Sequence, residues 1–154
     1  MTQFFVNRDV KLENKVDTSS IPNPIMRLIY NIVKKEISRF NDVISKFKYY
    51  SPLEDIYELA DKVEEVIPLI AQFGEGWVLP AEIVSLAHNK ADGVISLQPF
   101  GCIANHIISK GVENKIKQLY PDLSLLSLDF DSGVSEVNVV NRLMLLKDSI
   151  SKKQ

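Results

Sequence analysis

From Ile25 to Phe47 the apolar residues Ile25, Leu28, Ile29, Ile32, Val33, Ile37, Phe40, Ile44 and Phe47 recur at helical spacing, with Arg27, Lys34, Lys35, Glu36 and Asp42 falling mostly between them. That pattern predicts one long amphipathic helix, opened by Asn23 as N-cap and Pro24 at the first helical position. A second helix is predicted from Ser51, with Pro52 at its first position, Glu54 closing a capping box and Pro68 kinking or ending it. The two make a helical hairpin over residues 23–73. Ahead of them, residues 1–22 carry two short apolar runs, Phe4 to Val6 and Val10 to Leu12, around a polar Asn7-Arg8-Asp9 cluster. This reads as a strand or small hairpin followed by a linker.

The second half has a different rhythm. Pro80 opens a short helix to about Lys90, and Asp92-Gly93 makes a turn into the apolar run VISLQPF. A helix is predicted from Ile103 to Tyr120, ended by Pro121, with LSLLSL as the next strand. After the loop DFDSG, the residues Val134, Val137, Val140, Met144 and Lys147 mark the inner stripe of a final helix. Two apolar strands joined through a helix imply a parallel pair covered on both faces. The expected class is therefore α/β, a Rossmann-like parallel β-sheet with flanking helices over residues 74–154, preceded by the helical hairpin. Two strands make a poor sheet. Further strands would come from the N-terminal run, from a symmetry mate or, the favoured reading, from a larger protein of which this chain is a fragment.

Composition narrows the function classes. With 45% apolar and 25% charged residues, the chain has the balance of a globular domain. Its formal charge of -2 gives no basic surplus for nucleic acid or an acidic membrane. No apolar run reaches the ~18 residues a bilayer-spanning helix needs, and the start lacks a basic segment followed by an apolar one, so a cytoplasmic location is expected. The single cysteine excludes an internal disulfide and any all-cysteine metal site built by this chain alone.

In an open parallel sheet, ligands bind at the carboxyl ends of the strands. The two predicted strands lead there into Gln98-Pro99-Phe100-Gly101-Cys102 and Asp129-Phe130-Asp131-Ser132-Gly133. Cys102 beside a helix N-terminus is a candidate ligand or nucleophile, because N–H groups and the helix dipole favour its thiolate; a small apolar packing residue is the plainer alternative. Gly101 suits a positive φ or a close backbone approach. His106 follows Cys102 by one turn and would share a metal with it, or simply occupy the helix surface. Asn105 can cap or bind through its amide. Asp129, Asp131 and Glu136 would hold a divalent cation, or cap the next helix. Arg142 would anchor a carboxylate or phosphate, or pair with one of those acids. The turn Gly74-Glu75-Gly76-Trp77 reads as a ligand loop or as a helix-to-helix turn with a packed tryptophan.

The motifs GxGxxG, GxSxG, HExxH and CxxC and the P-loop are all missing from the sequence. Taken together, Gly74-Glu-Gly-Trp77, Gln98-Pro-Phe-Gly-Cys102, Asn105-His106, Lys110-Gly111, the block Asp129 to Gly133, Glu136 and Asn141-Arg142 closely resemble the C-terminal part of the 2-hydroxyacyl-CoA dehydratase activase-related proteins of anaerobic bacteria (CoA-substrate-specific enzyme activase family). They resemble the dehydratase subunits more distantly. The likeness covers roughly residues 74–147. It implies that Cys102 corresponds to a cysteine ligating a [4Fe-4S] cluster and Arg142 to the arginine of a Thr-Arg pair. It also implies ligand-binding roles for Gln98, Gly101, Asn105, His106, Asp129, Asp131 and Glu136.

The chain departs from that pattern in having no second cysteine and no Gly-rich phosphate loop of the actin-like ATPase type. The resemblance thus implies a dehydratase-like domain helping to bind a cluster or acyl-CoA, with no cluster expected in this chain alone. Its implied partners are other domains of a parent chain, dehydratase subunits or acyl-CoA, with no nucleic acid and no membrane. The alternatives are a non-catalytic interaction module and a Rossmann-like small-ligand binder.

Overall fold

A computed structural model describes residues 2–16, 22–131 and 133–153. The chain divides into two compact units, Met1–Asp61 and Lys62–Gln154. The division falls ahead of the one expected after residue 73.

The first unit is helical. α1 spans Gln3–Glu13, where a strand or hairpin was expected. Its apolar runs are too short for either periodicity to decide, and tertiary bonds settle the matter. The supposed turn residues lie inside the helix: Arg8 donates to Asn23 Oδ1 at 2.6 Å and to Asp9 Oδ1 at 2.9 Å, and the Tyr57 hydroxyl donates to Asp9 Oδ2 at 2.7 Å. The linker expected after it lies largely outside the described residues.

α2 spans Asn23–Ile44, with Pro24 in its first turn as predicted and Pro22 in the capping position expected of Asn23. Met26 is buried on it, and Tyr30, Val33, Ile37, Asn41 and Ile44 are half-buried along the same stripe. α3, Ile56–Val63, starts later than the Ser51 to Glu54 box predicts. Asp55 takes the capping role instead, its Oδ1 accepting the Tyr57 N–H at 2.9 Å. The segment before α3 is held by Asn41, whose side-chain amide pairs with both the N–H and the carbonyl of Leu53 at 2.9 Å. Phe5, Tyr30 and Tyr57 stack edge-to-face in series, with centroids 5.4 and 5.3 Å apart.

The second unit carries a two-stranded parallel sheet, β1 (Gly93–Pro99) and β2 (Ser124–Phe130), in the register Val94 to Leu125 through Gln98 to Asp129. Both strands and their parallel sense follow the sequence reading. α4 (Val78–His88) precedes β1, and Pro80 falls in its first turn, where a missing N–H costs nothing. The turn before α4 is tight: Gly74 and Gly76 have positive φ, and a Cβ on Gly76 would stand 2.1 Å from the Ala71 carbonyl oxygen. Trp77 is fully buried behind it, so the structural reading of that turn holds.

The crossover between the strands is not the single helix predicted. Residues Ala104–Ser109 form a π-helical segment, and α5 begins only at Glu113, running to Leu119. Gly111 is still helical, and the break falls at Val112. The last helix, α6, spans Glu136–Ser151. Its inward stripe is Val139, Leu143, Leu146 and Ile150, whereas the predicted Val137, Val140 and Met144 are exposed. The predicted set also followed a helical period but belonged to the other side of the cylinder; the packing of Ile150 on Gly93 fixes which stripe faces the sheet.

Paired residues of a parallel sheet point to the same face. One face carries Val94, Ser96 and Gln98 with Leu125, Ser127 and Asp129. α5 reaches it through Glu113, which accepts from Ser127 Oγ at 2.7 Å. α6 lies over the opposite face, where Ser149 Oγ is 3.2 Å from Ser124 Oγ. On that face Ile95 and Leu97 of β1 stay exposed. The outer edge of β1 is unpaired among the described residues.

Candidate functional site at the carboxyl ends of the strands

The loops after β1 and β2 lie side by side, joined by a bond from the Phe100 N–H to the Phe130 carbonyl at 3.1 Å. This is the arrangement the parallel pair requires. In the first loop Gly101 takes φ +77° with no atom within 4 Å of where a Cβ would stand, so the backbone turns sharply there without crowding.

Cys102 is half-buried just beyond. Its sulfur accepts the Asn105 side-chain amide at 3.0 Å. The Asn105 N–H, its side-chain amide and the Ala104 N–H together hold the thiol below its ordinary pKa, against opposing pushes from burial and, more weakly, from the Glu75 carboxylate. Asn105 is buried, so this amide is committed to the sulfur. His106, which the i to i+4 spacing suggested as a companion ligand, is exposed; its N–H closes onto the Cys102 carbonyl at 3.0 Å.

Gln98 is fully buried, and neither its Nε2 nor its Oε1 has a hydrogen-bond partner among the described residues. A buried amide left unsatisfied is costly, which distinguishes this residue from its packed neighbours.

The second loop separates the acidic candidates. Asp129, opposite Gln98 in register, forms an ion pair with Lys110 at 3.5 Å. Asp131 Oδ1 accepts the Gly133 N–H at 2.7 Å, a local turn bond. Glu136 is exposed in the first turn of α6. The capping and pairing readings of these acids therefore fit better than a cation site, and no group of three or more His, Cys, Asp and Glu side chains among the described residues is disposed to hold a metal. Arg142 pairs with no acid among the described residues: Nη2 donates to the Ser127 carbonyl at 2.6 Å. Asp129, Asp131, Asn138 and Arg142 line one cavity of about 320 Å³.

Sequence reasoning missed Ser127 and Glu113. Burial pushes the Glu113 carboxyl up, but bonds from Lys117 and Ser127, with the charges of Lys117 and Lys110, hold it below the usual range. Nothing in the local pattern around Ser127 marks it; only the strand register places its two bonds. Glu82 was missed as well, a carboxyl raised by burial and by the nearby Glu75.

The chain matches no family model, no curated protein and no solved structure. No helix among the described residues is long and apolar enough to cross a membrane.

Proposed function

We propose that the second unit presents Cys102 as one thiolate ligand at the edge of a Rossmann-like domain, contributing to a [4Fe-4S] centre whose remaining ligands come from other domains or subunits of a 2-hydroxyacyl-CoA dehydratase-like system. The observation that carries this reading is the sulfur itself: half-buried, bonded by the buried Asn105 amide at 3.0 Å, and biased toward the thiolate by the N–H groups around it. A thiolate so placed is a soft-metal donor. The donor set fits one corner of such a cluster and no more, since the chain has one cysteine and a [4Fe-4S] cluster takes four thiolates. The chain's own residues orient the sulfur through Asn105 and leave its approach open at Gly101.

The cavity lined by Asp129, Asp131, Asn138 and Arg142 favours a second reading, a small-ligand binder using the same edge without a metal. Thiol exchange separates the two. A [4Fe-4S] cluster ligated by a small thiol is mixed anaerobically with the chain, so that Cys102 displaces one small thiolate without any redox change. Visible absorbance should then co-migrate with the wild-type chain and be absent with Cys102→Ser. Absorbance that stays with the small-molecule fraction, or that Cys102→Ser retains, rejects the cluster-ligand reading.

A further inference from the structure

α5 and α6 cover opposite faces of the sheet, so a cavity lined by both runs along a strand edge. One such cavity, of about 440 Å³, is lined by the end of α5 and the turn after it, by Leu123 to Leu126 and by α6. Among the described residues β1 contributes none of this lining, so the cavity follows the outer edge of β2. In the parallel ladder Ser124, Leu126 and Leu128 turn their backbone groups toward β1. The Leu125 N–H and carbonyl and the Ser127 N–H therefore face outward, without a backbone partner among the described residues. The Ser127 carbonyl beside them is taken by Arg142.

The walls include Leu126, Leu145 and Leu146, and the charged side chains of the lining are all cations: Lys117, Arg142 and Lys153. Lys117 is neutralised by Glu113. The other two are not. Arg142 donates to the Ser127 carbonyl, and Lys153 Nζ donates to the carbonyls of Pro121 and Asp122 at 3.1 and 3.0 Å. Neither meets an acid among the described residues. The groove is thus apolar in the middle with an uncompensated cation at each end, about 16 Å apart along the α6 axis at ~1.5 Å per residue.

We propose that this groove binds an extended peptide segment of a partner protein as a third strand on β2, with acidic residues at its first and fifth positions and a large apolar residue at its third. The outward N–H and carbonyl of Leu125 and the N–H of Ser127 match the main chain of an added strand. Alternate residues of a strand share a side, and the first and fifth lie about 13 Å apart at ~3.3 Å per residue. Their carboxylates then fall within reach of Arg142 and Lys153, and the third side chain falls on the leucines. A second copy of β2 fits poorly, because two copies would bring only cations together along the seam. A fatty acid would meet the leucines and one cation but leave the Leu125 backbone unpaired. The site is separate from Cys102 and does not rest on the cluster reading.

The test is fluorescence anisotropy of a fluorescein-labelled peptide Gly-Glu-Val-Leu-Val-Glu-amide titrated with the full chain. Saturable binding is expected, and none when both glutamates are lysine. Lys153→Glu should weaken binding about five- to tenfold. Lysine in place of one peptide glutamate, at one end and not at the other, should restore it and so report the strand direction. Hydrogen exchange at the Leu125 and Ser127 amides should slow in the complex. Absence of binding at roughly 1 mM peptide overturns the inference. So does binding that Lys153→Glu leaves unchanged, or that slows neither amide. Decanoate binding in place of the peptide would make the groove a fatty-acid site and overturn it equally. Slow exchange of both amides without peptide, in a chain that self-associates, would give the edge to a second copy and do the same.

Discussion

The Asn105 side-chain amide donates to the Cys102 sulfur across 3.0 Å, from a residue that is itself buried. The bond favours the charged sulfur and lowers the thiol pKa together with the adjacent N–H groups. The rate of alkylation by iodoacetamide against pH should therefore show a midpoint below the ordinary thiol value of about 8.5. Asn105→Ala should move that midpoint upward and slow the reaction at neutral pH. A native chain that stays protected at every pH and reacts only on unfolding would make Cys102 a packing residue.

Three glycines should respond to alanine in three different ways. At Gly76 the new Cβ would overlap the Ala71 carbonyl in a positive-φ turn, so Gly76→Ala should cost roughly 3 kcal/mol or more and free the Trp77 indole. At Gly101 there is space but φ is +77°, and about 1 kcal/mol is expected. At Gly111, with open space and no positive φ, alanine should stabilise by about 0.5–1 kcal/mol. Urea midpoints at constant m-value measure all three.

Glu113 ties stability to pH. A carboxyl whose folded pKa is depressed adds stability that is complete above its unfolded value of about 4.3 and is lost as pH falls through the folded value. The difference in Tm between the wild type and Glu113→Gln should be greatest near neutral pH and shrink below about pH 4. A difference that stays constant down to acid pH would show that the bond from Ser127 acts without the charge.

Arg142 serves the strand. The bonds from the Ser124 N–H to the Asp92 carbonyl and from the Phe100 N–H to the Phe130 carbonyl show that alternate residues of β2 face β1. The carbonyl of Ser127 therefore lies on the free edge, where Arg142 covers it. Arg142→Met should cost about 1–2 kcal/mol, limited because water can reach the exposed carbonyl. Arg142→Lys should recover part of that. An unchanged urea midpoint for Arg142→Met would return the residue to a ligand role.

Much of the second unit was legible because its signals are local. Seven-residue strands rich in Leu, Ile and Ser, a turn at Asp92-Gly93 and a proline after the crossover fix two strands and their order. Parallel pairing then brings the Cys102 and Asp129 loops together. What escaped depends on contacts distant in sequence. α1 is helical through bonds to Asn23 and Tyr57, and α3 is capped by Asp55, which Tyr30 and Lys34 also hold. The π-helical turn after Cys102 has no residue pattern that separates it from an α-helix. Of the candidate site, position was readable and partnership was not: Arg142 was left between a bound anion and a neighbouring acid and lies on a carbonyl, and Asp131 was left between a cation and a helix cap and closes its own turn.

The outer edge of β1, which no strand pairs with among the described residues, bears on how the protein must be handled. Residues Gly93 to Gln98 hold no charge, no proline and no bulge, the devices that keep exposed strands from adding to one another. Ile95 and Leu97 stand beside that edge with their side chains in water. The folded chain thus offers a ready template for cross-β growth, and its solubility limit is set by a native strand as well as by unfolded molecules. Storage at high concentration will favour slow gelation even where the fold is intact, and a single lysine at Ile95 would act as the missing gatekeeper.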